Sequence, residues 1–292
     1  MSEIGRVLRW QVGAVRVSAV LEIEWPMRVR WMIPDATQEA LAELPWVYDH
    51  FVRDGAMTIA VQAFVVESDG RRIVVDTCAG NGKRRDGILG IFDALDTDFP
   101  DRMTAAGFPF GSIDTVVCTH LHFDHVGWNT TLVDGEWVPS FPNARYVVAA
   151  HDLAYWAARP DEMHAAAFDD SVAPVLAAGL VDAVGPDHVL SPDVRLIPTP
   201  GHSPGHVSVW IESEGHQAVI TGDMVHHAVQ LARPAWRDAA DSDAALAAST
   251  RRAFADRVRG SEVLVLGTHF DAPTAGTVTV RDGDTVFVPA SQ

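Results

Sequence analysis

Apolar and polar positions along the chain form many short strand patterns and fewer helical ones. Residues 15–23 alternate between apolar and polar side chains, which is typical of an antiparallel strand with one solvated face. The runs 57–66 and 72–76 flank Asp69-Gly70, a turn dipeptide, and therefore predict a β-hairpin. Further strands are predicted at 113–118, 144–149, 194–197, 207–212, 217–221, 262–266, 277–281 and 285–288.

Helical patterns lie between the groups of strands. They are predicted at 88–95, at 101–106, at 151–158 and from Ser242 to about residue 259. Two groups of strands, each with its helices, predict an α/β (α+β) fold in which two β-sheets pack face to face with helices outside. Nothing resembling a linker divides residues 1–292, so we expect a single domain.

Two segments depart from the regular pattern. Residues 25–55 lack periodicity but are rich in tryptophan, methionine and proline. This composition predicts a segment packed on the body, and it leaves open a plain loop, a wall of a substrate pocket and a contact in a homodimer. Residues 159–192 are predicted to be mostly helical, either as a surface helix pair or as a lid that borders a pocket.

Composition and charge restrict the partners. The net charge of −17 opposes binding to a phosphate backbone, so we expect no nucleic-acid partner. No apolar run approaches the length of a membrane span, and residues 1–10 lack a secretion signal, so we predict a cytoplasmic protein that does not bind membranes. Cys78 and Cys118 lie beside predicted core strands and are expected to be buried and unpaired.

Potential metal ligands are concentrated directly after the predicted strand 113–118. His120 and His122 are two positions apart, so an extended backbone directs both to the same side. Asp124 and His125 follow where the chain must turn. Imidazole and carboxylate groups suit zinc and similar ions, and adjacent ligands that diverge can serve two metals. This stretch therefore predicts a metal site at the end of a strand.

The run THLHFDHVG, at 119–127, matches the HxHxDH signature of the metallo-β-lactamase superfamily. Its other motifs follow in the same order, as PGHSPGH at 200–206, TGD at 221–223 and GTH at 267–269, and VVDT at 74–77 resembles an upstream strand. The resemblance covers about residues 57–290. It implies the four-layer αββα sandwich of that superfamily.

The resemblance also implies a dinuclear centre. One metal would be held by His120, His122 and His202, the second by Asp124, His125 and His269, and Asp223 would bridge them. Zinc is the expected metal, with iron, manganese or cobalt as alternatives. A hydroxide that bridges the metals would attack the substrate, and Asp124, Asp223 or His226 would protonate the leaving group.

Details of the motifs distinguish branches of the superfamily. The bridging Asp223 and the absence of a cysteine ligand argue against a β-lactamase. The short ending after His269 argues against a hydroxyacylglutathione hydrolase, and the chain has no room for the flavin domain of a flavodiiron protein. Size and ligand order are similar to the quorum-quenching acyl-homoserine lactonases, but His226 stands where those enzymes have a tyrosine. Residues 222–230 more closely resemble the methyl parathion hydrolase branch.

We therefore predict a hydrolase of small-molecule lactones or related carboxylic esters. The first alternative is a phosphotriesterase. The second is a non-hydrolytic iron-dependent or scaffold member of the fold, against which the full set of seven ligands counts. Among the other histidines, His206 is predicted to make structural hydrogen bonds, while His226 or His227 is predicted to act on the leaving group or to support a ligand.

Overall fold

Strands form most of the regular structure, as the hydrophobic pattern predicts. The computed structural model describes residues 7–27, 29–53, 56–158 and 165–290. Within them the strands are β1 (Leu8–Val12), β2 (Val15–Met27), β3 (Val52–Arg53), β4 (Ala56–Ser68), β5 (Arg71–Val75), β6 (Thr115–Cys118), β7 (Thr130–Val133), β8 (Glu136–Pro139), β9 (Arg145–Ala149), β10 (Val181–Val184), β11 (Val189–Ser191), β12 (Val194–Pro198), β13 (Val207–Ser213), β14 (His216–Ile220), β15 (Leu264–Leu266), β16 (Ala275–Arg281) and β17 (Asp284–Pro289).

The helices are short, with one exception near the end of the described chain. They are α1 (Gln38–Ala42), α2 (Pro45–Phe51), α3 (Phe99–Ala105), α4 (Phe123–Val126), α5 (Ala150–Ala157), α6 (Ala165–Ala167), α7 (Ala173–Ala177), α8 (Val229–Ala232) and α9 (Ala244–Val258). A π-helical turn, Phe168–Val172, joins α6 to α7. Within the described residues, no helix is long and apolar enough to span a bilayer.

Most strands belong to two large sheets. The first contains β1, β2, β4, β5, β6, β9 and β10 in spatial order, with β3 paired to one end of β4. The second contains β11 to β17 in sequence order. β5, β6, β9 and β10 pair in parallel, as do β14 and β15. Parallel neighbours place their carboxyl ends at one edge of the sheet, where the loops that follow them meet.

The alternation of side chains along the strands produces three apolar layers. In β6, Val117 lies between the two sheets, whereas Val116 belongs to the layer covered by α3 and α5. In β14, Ile220 lies between the sheets, whereas Val219 belongs to the layer covered by α2 and α9. Helices therefore cover the outer face of each sheet. The predicted αββα sandwich is confirmed.

Both predicted irregular segments contain elements that the sequence pattern missed. Segment 25–55 is not a plain loop, because β2 extends to Met27 and the chain then forms α1, α2 and β3. Thr37 caps α1 by accepting a hydrogen bond from the backbone N–H of Ala40 at 3.2 Å, and Pro45 begins α2. Helices of five and seven residues are too short to show a helical period.

The second half of segment 159–192 was wrongly predicted to be helical. It contains β10, which pairs with β9, and β11, which pairs with β12. These short strands form because partner strands lie beside them, and the local sequence pattern gives no sign of those partners. Residues 159–164 lie outside the described residues. The helix predicted at 88–95 is instead a 3₁₀ helix, Gly87–Phe92.

Candidate metal centre

The loop after β6 is held by a carboxylate at the end of the neighbouring strand. Asp76 follows β5 and accepts hydrogen bonds from the backbone N–H of Thr119 at 2.8 Å and from its hydroxyl at 2.9 Å. His122 then has an extended backbone at the start of α4, and Asp124 and His125 lie within that single turn. Four candidate ligands therefore lie in the short stretch that follows β6 and includes the single turn of α4.

A second buried carboxylate ties this loop to the loop that carries His202. Asp152, in α5, accepts a hydrogen bond from the backbone N–H of Leu121 at 3.0 Å and another from Gly205 at 3.1 Å. Leu121 lies between His120 and His122. The two loops are therefore fixed relative to each other by one side chain.

Asp223 follows β14 in a 3₁₀ turn, and His206 fixes its position. The imidazole Nε2 of His206 accepts the backbone N–H of Asp223 at 2.9 Å, and its Nδ1 lies 2.8 Å from the hydroxyl of Thr199. Gly222 has a φ of +53°, and a Cβ there would lie 2.6 Å from His206 Nε2. Only glycine allows the imidazole to lie directly against this turn. His206 has the structural hydrogen bonds that the sequence predicted.

His269 is held by β4 of the opposite sheet. Its backbone carbonyl accepts the N–H of Ala60 at 3.1 Å, and its Nδ1 donates to the carbonyl of Ala60 at 2.8 Å. The side-chain amide of Gln62 donates to three carbonyl groups of the same turn, those of Gly267, Thr268 and Phe270, at 3.1–3.2 Å. The turn therefore joins the two sheets at the site.

Six of the seven predicted ligands surround the seventh, Asp223. One group of mutually close ligand atoms comprises His120, His122, His202 and Asp223, and another comprises Asp124, His125 and His269. Asp223 Oδ2 lies 3.3 Å from His202 Nε2 and 3.1 Å from His125 Nε2, while its Oδ1 lies 3.1 Å from His269 Nε2. This carboxylate therefore lies between the two groups.

Hydrogen bonding on the outer side of the rings shows which nitrogens of His125 and His269 face inward. The carboxylate of Asp76 faces His125 Nδ1 at 2.9 Å, and the carbonyl of Ala60 faces His269 Nδ1 at 2.8 Å. Both partners accept hydrogen bonds, so both Nδ1 atoms carry a proton. The two Nε2 atoms lie 3.3 Å from each other and 3.1 Å from carboxylate oxygens of Asp223. A cation between them satisfies both, so these residues fit a bound metal ion.

Two further atoms of the cluster are buried without a hydrogen-bond partner, His120 Nε2 and Asp223 Oδ1. Burial, followed by the neighbouring His125 and His122, holds the pKa of His120 well below its ordinary value, so this ring is neutral. Burial would raise the pKa of Asp223, but the surrounding imidazoles outweigh it and hold that pKa well below its usual range. Asp223 is therefore ionised, and imidazoles that release a proton when a metal ion binds complete a donor set suited to divalent ions.

A cavity of about 210 Å³ opens above the cluster. Its base contains Asp124, Asp223 and His226. Its wall is apolar and includes three aromatic rings in succession: Trp25 and Phe92 with ring centres 6.3 Å apart, then Phe92 and Phe123 at 4.8 Å. Among the described residues that line it, none is lysine or arginine.

The predicted pocket-bordering role differs between the two irregular segments. Trp25, Trp31 and Met32 of segment 25–55 line the cavity. Within the described part of segment 159–192, residues 165–192, none does. A lid formed by that segment stays a prediction.

His226 and His227 have different surroundings. His226 lines the cavity, and its Nε2 lies 3.0 Å from Asp223 Oδ2. Burial lowers the pKa of His226, but the carboxylates of Asp238 and Asp223 outweigh it and raise that pKa to about 9. His227 packs against Phe51 with ring centres 4.8 Å apart, and burial lowers its pKa to about 3. Of the two, only His226 faces the cluster.

Three carboxylates that contact the imidazoles were not identified from the sequence. Asp76 lies behind His125, Asp238 Oδ2 lies 3.4 Å from His226 Nδ1, and Asp241 Oδ1 lies 3.5 Å from His202 Nδ1. Asp76 had a signal, because it ends a strand parallel to β6. Asp238 and Asp241 lie in an acidic loop before α9 that has no recognisable pattern.

Comparison with known proteins places these motifs in one family. Residues 58–269 match the family model described as "Metallo-beta-lactamase superfamily". A Bacillus protein named N-acyl homoserine lactonase is 30% identical over 105 residues. That match covers 36% of this chain and 35% of the relative, so it spans about a third of either protein.

Solved structures resemble the fold over the whole chain. The crystal structure of the hydrolase AbOPH, described as belonging to the beta lactamase superfamily, has a TM-score of 0.82 at 22% identity and covers 100% of this chain and 99% of that one. AidC, described as a dizinc quorum-quenching lactonase in complex with a product, has a TM-score of 0.75 at 19% identity and covers 98% of each chain. At such identities the similarity shows the fold.

Proposed function

Because the chain belongs to the metallo-beta-lactamase superfamily, we propose that it is a metal-dependent hydrolase that opens lactones or cleaves related carboxylic esters. The observation that carries the proposal is the position of Asp223, between two groups of convergent ligand atoms at the base of an apolar cavity. The partial similarity to N-acyl homoserine lactonases supports the lactone class.

In this proposal His120, His122 and His202 would hold one divalent ion, and Asp124, His125 and His269 would hold the second. Asp223, which lies between the two groups, would be a further ligand. Zinc suits this set of nitrogen and carboxylate ligands, and iron, manganese and cobalt are alternatives. Ions bound there supply Lewis acidity and lower the pKa of a bound water molecule towards neutrality.

Hydrolysis also needs proton transfer, and the chain provides three groups for it at the base of the cavity. A proton must leave the attacking water, and the departing oxygen must gain one. Asp124 and Asp223 present carboxylate oxygens to this space, and His226 presents a ring nitrogen 3.0 Å from Asp223. We propose that Asp124, Asp223 or His226 protonates the leaving group.

The lining of the cavity favours neutral substrates. Trp25, Phe92 and Phe123 offer apolar contact area, and the described lining has no lysine or arginine to pair with an anionic group. A lactone or ester with an alkyl or aromatic substituent fits these conditions. A neutral phosphotriester fits the same lining and is the second candidate. A cephalosporin carries a carboxylate and is disfavoured.

The test combines metal content with a substrate panel. The panel contains an acyl-homoserine lactone, an aromatic lactone, an aryl ester, a phosphotriester and a cephalosporin. We expect about two zinc-like ions per chain and turnover of a lactone or ester, because the proposed ligand set would form a two-metal site. Asp223→Ala and His122→Ala should each lower turnover by orders of magnitude.

His151→Ala is the matched control, since His151 is an exposed histidine of α5. It should keep the wild-type rate and metal content. The proposal fails if wild-type protein hydrolyses no lactone, ester or triester when zinc is supplied. It also fails if Asp223→Ala retains full turnover.

A further inference from the structure

The loop between α8 and α9 places a buried carboxylate behind His202. Asp241 Oδ1 lies 3.5 Å from His202 Nδ1, and the Asp241 side chain has no exposed surface. The loop also follows the backbone of the His202 turn, because Ser242 N–H donates to the carbonyl of His202 and Asp243 N–H to that of Gly201, both at 2.9 Å. The carboxylate and the ring are therefore held side by side.

The two nitrogens of His202 face different surroundings. Nε2 points into the cluster, 3.0 Å from His122 Nδ1 and 3.3 Å from Asp223 Oδ2. A neutral ring that offers a lone pair at Nε2 must carry its proton at Nδ1. That Nδ1 is buried and makes no standard hydrogen bond. Asp241 is the acceptor that faces it.

Asp241 is prevented from turning away by a buried ion pair. The Arg251 guanidinium, on α9, contacts the two carboxylate oxygens of Asp241 at 2.9 and 3.3 Å. Arg251 Nε donates to the carbonyl of Pro234 at 3.1 Å, and the N–H of Asp238 donates to Asp241 at 2.9 Å. Stability does not require such a pair, because apolar residues of similar volume often replace one without loss. The contacts of the pair leave Asp241 Oδ1 facing His202 Nδ1.

We propose that Asp241, held by Arg251, is a positioning residue for His202. Its carboxylate accepts a hydrogen bond from Nδ1–H and so fixes both the tautomer and the orientation of the ring that offers Nε2 to the metal. This inference rests on the proposed metal site. Outer carboxylates of this kind change metal affinity by about 10- to 100-fold when they are removed.

The decisive variant replaces both members of the ion pair. Asp241→Leu combined with Arg251→Met removes the acceptor and leaves no unpaired buried charge, so the protein should fold with a melting temperature near that of wild type. Zinc affinity, measured on metal-depleted protein by competition with a chromophoric chelator, should fall by about 10- to 100-fold. The absorption spectrum of the cobalt-loaded protein should also change, since the ring is no longer fixed.

A conservative variant distinguishes loss of the hydrogen-bond acceptor at position 241 from a change in side-chain packing there. Asp241→Asn combined with Arg251→Met supplies a neutral acceptor of the same shape, and it should recover part of the zinc affinity that the leucine variant loses. Asp170→Asn is the matched control. It breaks another buried ion pair, that of Asp170 with Lys83 and Arg85, without touching the cluster, and zinc affinity should remain unchanged.

Zinc affinity of the Asp241→Leu/Arg251→Met protein equal to that of wild type would overturn the inference. An equal loss in Asp170→Asn, or equal affinities of the leucine and asparagine proteins, would also overturn it. If wild-type protein itself binds none of zinc, iron, manganese and cobalt, the proposed function fails as well. The two failures are thus distinguishable.

Discussion

Gly222 shows how a single residue positions the centre. Its positive φ and its contact with His206 allow the imidazole to hold the backbone of Asp223. Gly215 also has a positive φ, of +80°, but nothing lies within 4 Å of where its Cβ would be. An added Cβ would cause backbone strain at both glycines, but a steric clash only at Gly222. Comparing the two positions therefore separates these effects.

We predict that Gly222→Ala lowers the free energy of unfolding by roughly 2–5 kcal/mol, since left-handed strain and overpacking add. Gly215→Ala should cost only about 1–2 kcal/mol, from strain alone. Urea unfolding measures both, and metal analysis should show loss of ions in Gly222→Ala only. Equal effects of the two substitutions would contradict the role of the His206 contact.

The sequence identified the residues at the centre better than those around it. Histidines and aspartates at strand ends carry a recognisable spacing, and the structure brings all seven together with His226. Asp238 and Asp241 could not be found, because their contacts depend on how a loop without a pattern folds back onto the rings. The ligand assignment and the role of His226 stay predictions until metal and activity are measured.

At the scale of elements, a buried charge cluster joins three separate pieces of the chain. Lys83, in the loop after β5, donates to the hydroxyl of Thr130 in β7 at 2.9 Å and contacts Asp170 of the π-helical turn at 3.3 Å. Arg85 contacts the same carboxylate at 2.7 Å, and the ring of Trp137 in β8 lies 3.7 Å from the Lys83 ammonium. The cluster holds the β7–β8 hairpin, which the sequence pattern did not predict.

We predict that this cluster makes stability depend on pH. Burial lowers the pKa of Lys83 from 10.5 to about 8, although Asp170 opposes the shift. Between these two values the unfolded chain binds more protons than the folded one, so the free energy of unfolding should rise with pH. Relative to Lys83→Met, wild-type protein should gain about 2 kcal/mol between pH 8 and pH 10 in urea unfolding. If the free energy of unfolding changed with pH in the same way in both proteins, the lowered pKa of Lys83 would be disproved.

Elements were predicted well where pattern or turn chemistry was explicit. The hairpin around Asp69-Gly70 and the helix beginning near Ser242 were correct to within a few residues. β10 and β11 were missed because each is short and owes its conformation to a partner strand.

At the scale of the whole molecule, the candidate ligands come from both sheets. The stretch His120 to His125 follows β6 of the first sheet, while His202, Asp223 and His269 follow β12, β14 and β15 of the second. Their convergence at one edge could be predicted, because it belongs to the αββα arrangement. The composition of the cavity wall could not be predicted, since Trp31 and Phe92 reach it from short 3₁₀ helices.

We predict that removing metal destabilises the whole fold, because bound ions would join residues from both sheets. With free zinc at about 1,000 times its dissociation constant, the linkage contribution is about 4 kcal/mol. A chelator should therefore lower the melting temperature of wild-type protein by roughly 10 °C. Asp223→Ala should show little change with chelator. Identical melting curves of wild-type protein with and without chelator would refute this prediction.

Lys83 is also the only lysine in the sequence, and it is 1% exposed. All other basic side chains, histidine aside, are arginines. The folded surface therefore presents no lysine amine to acetylation, to isopeptide conjugation or to amine-directed cross-linkers. Such reagents would reach a lysine of this protein only after the loop that carries Lys83 has opened, and covalent capture at that amine would report the opening.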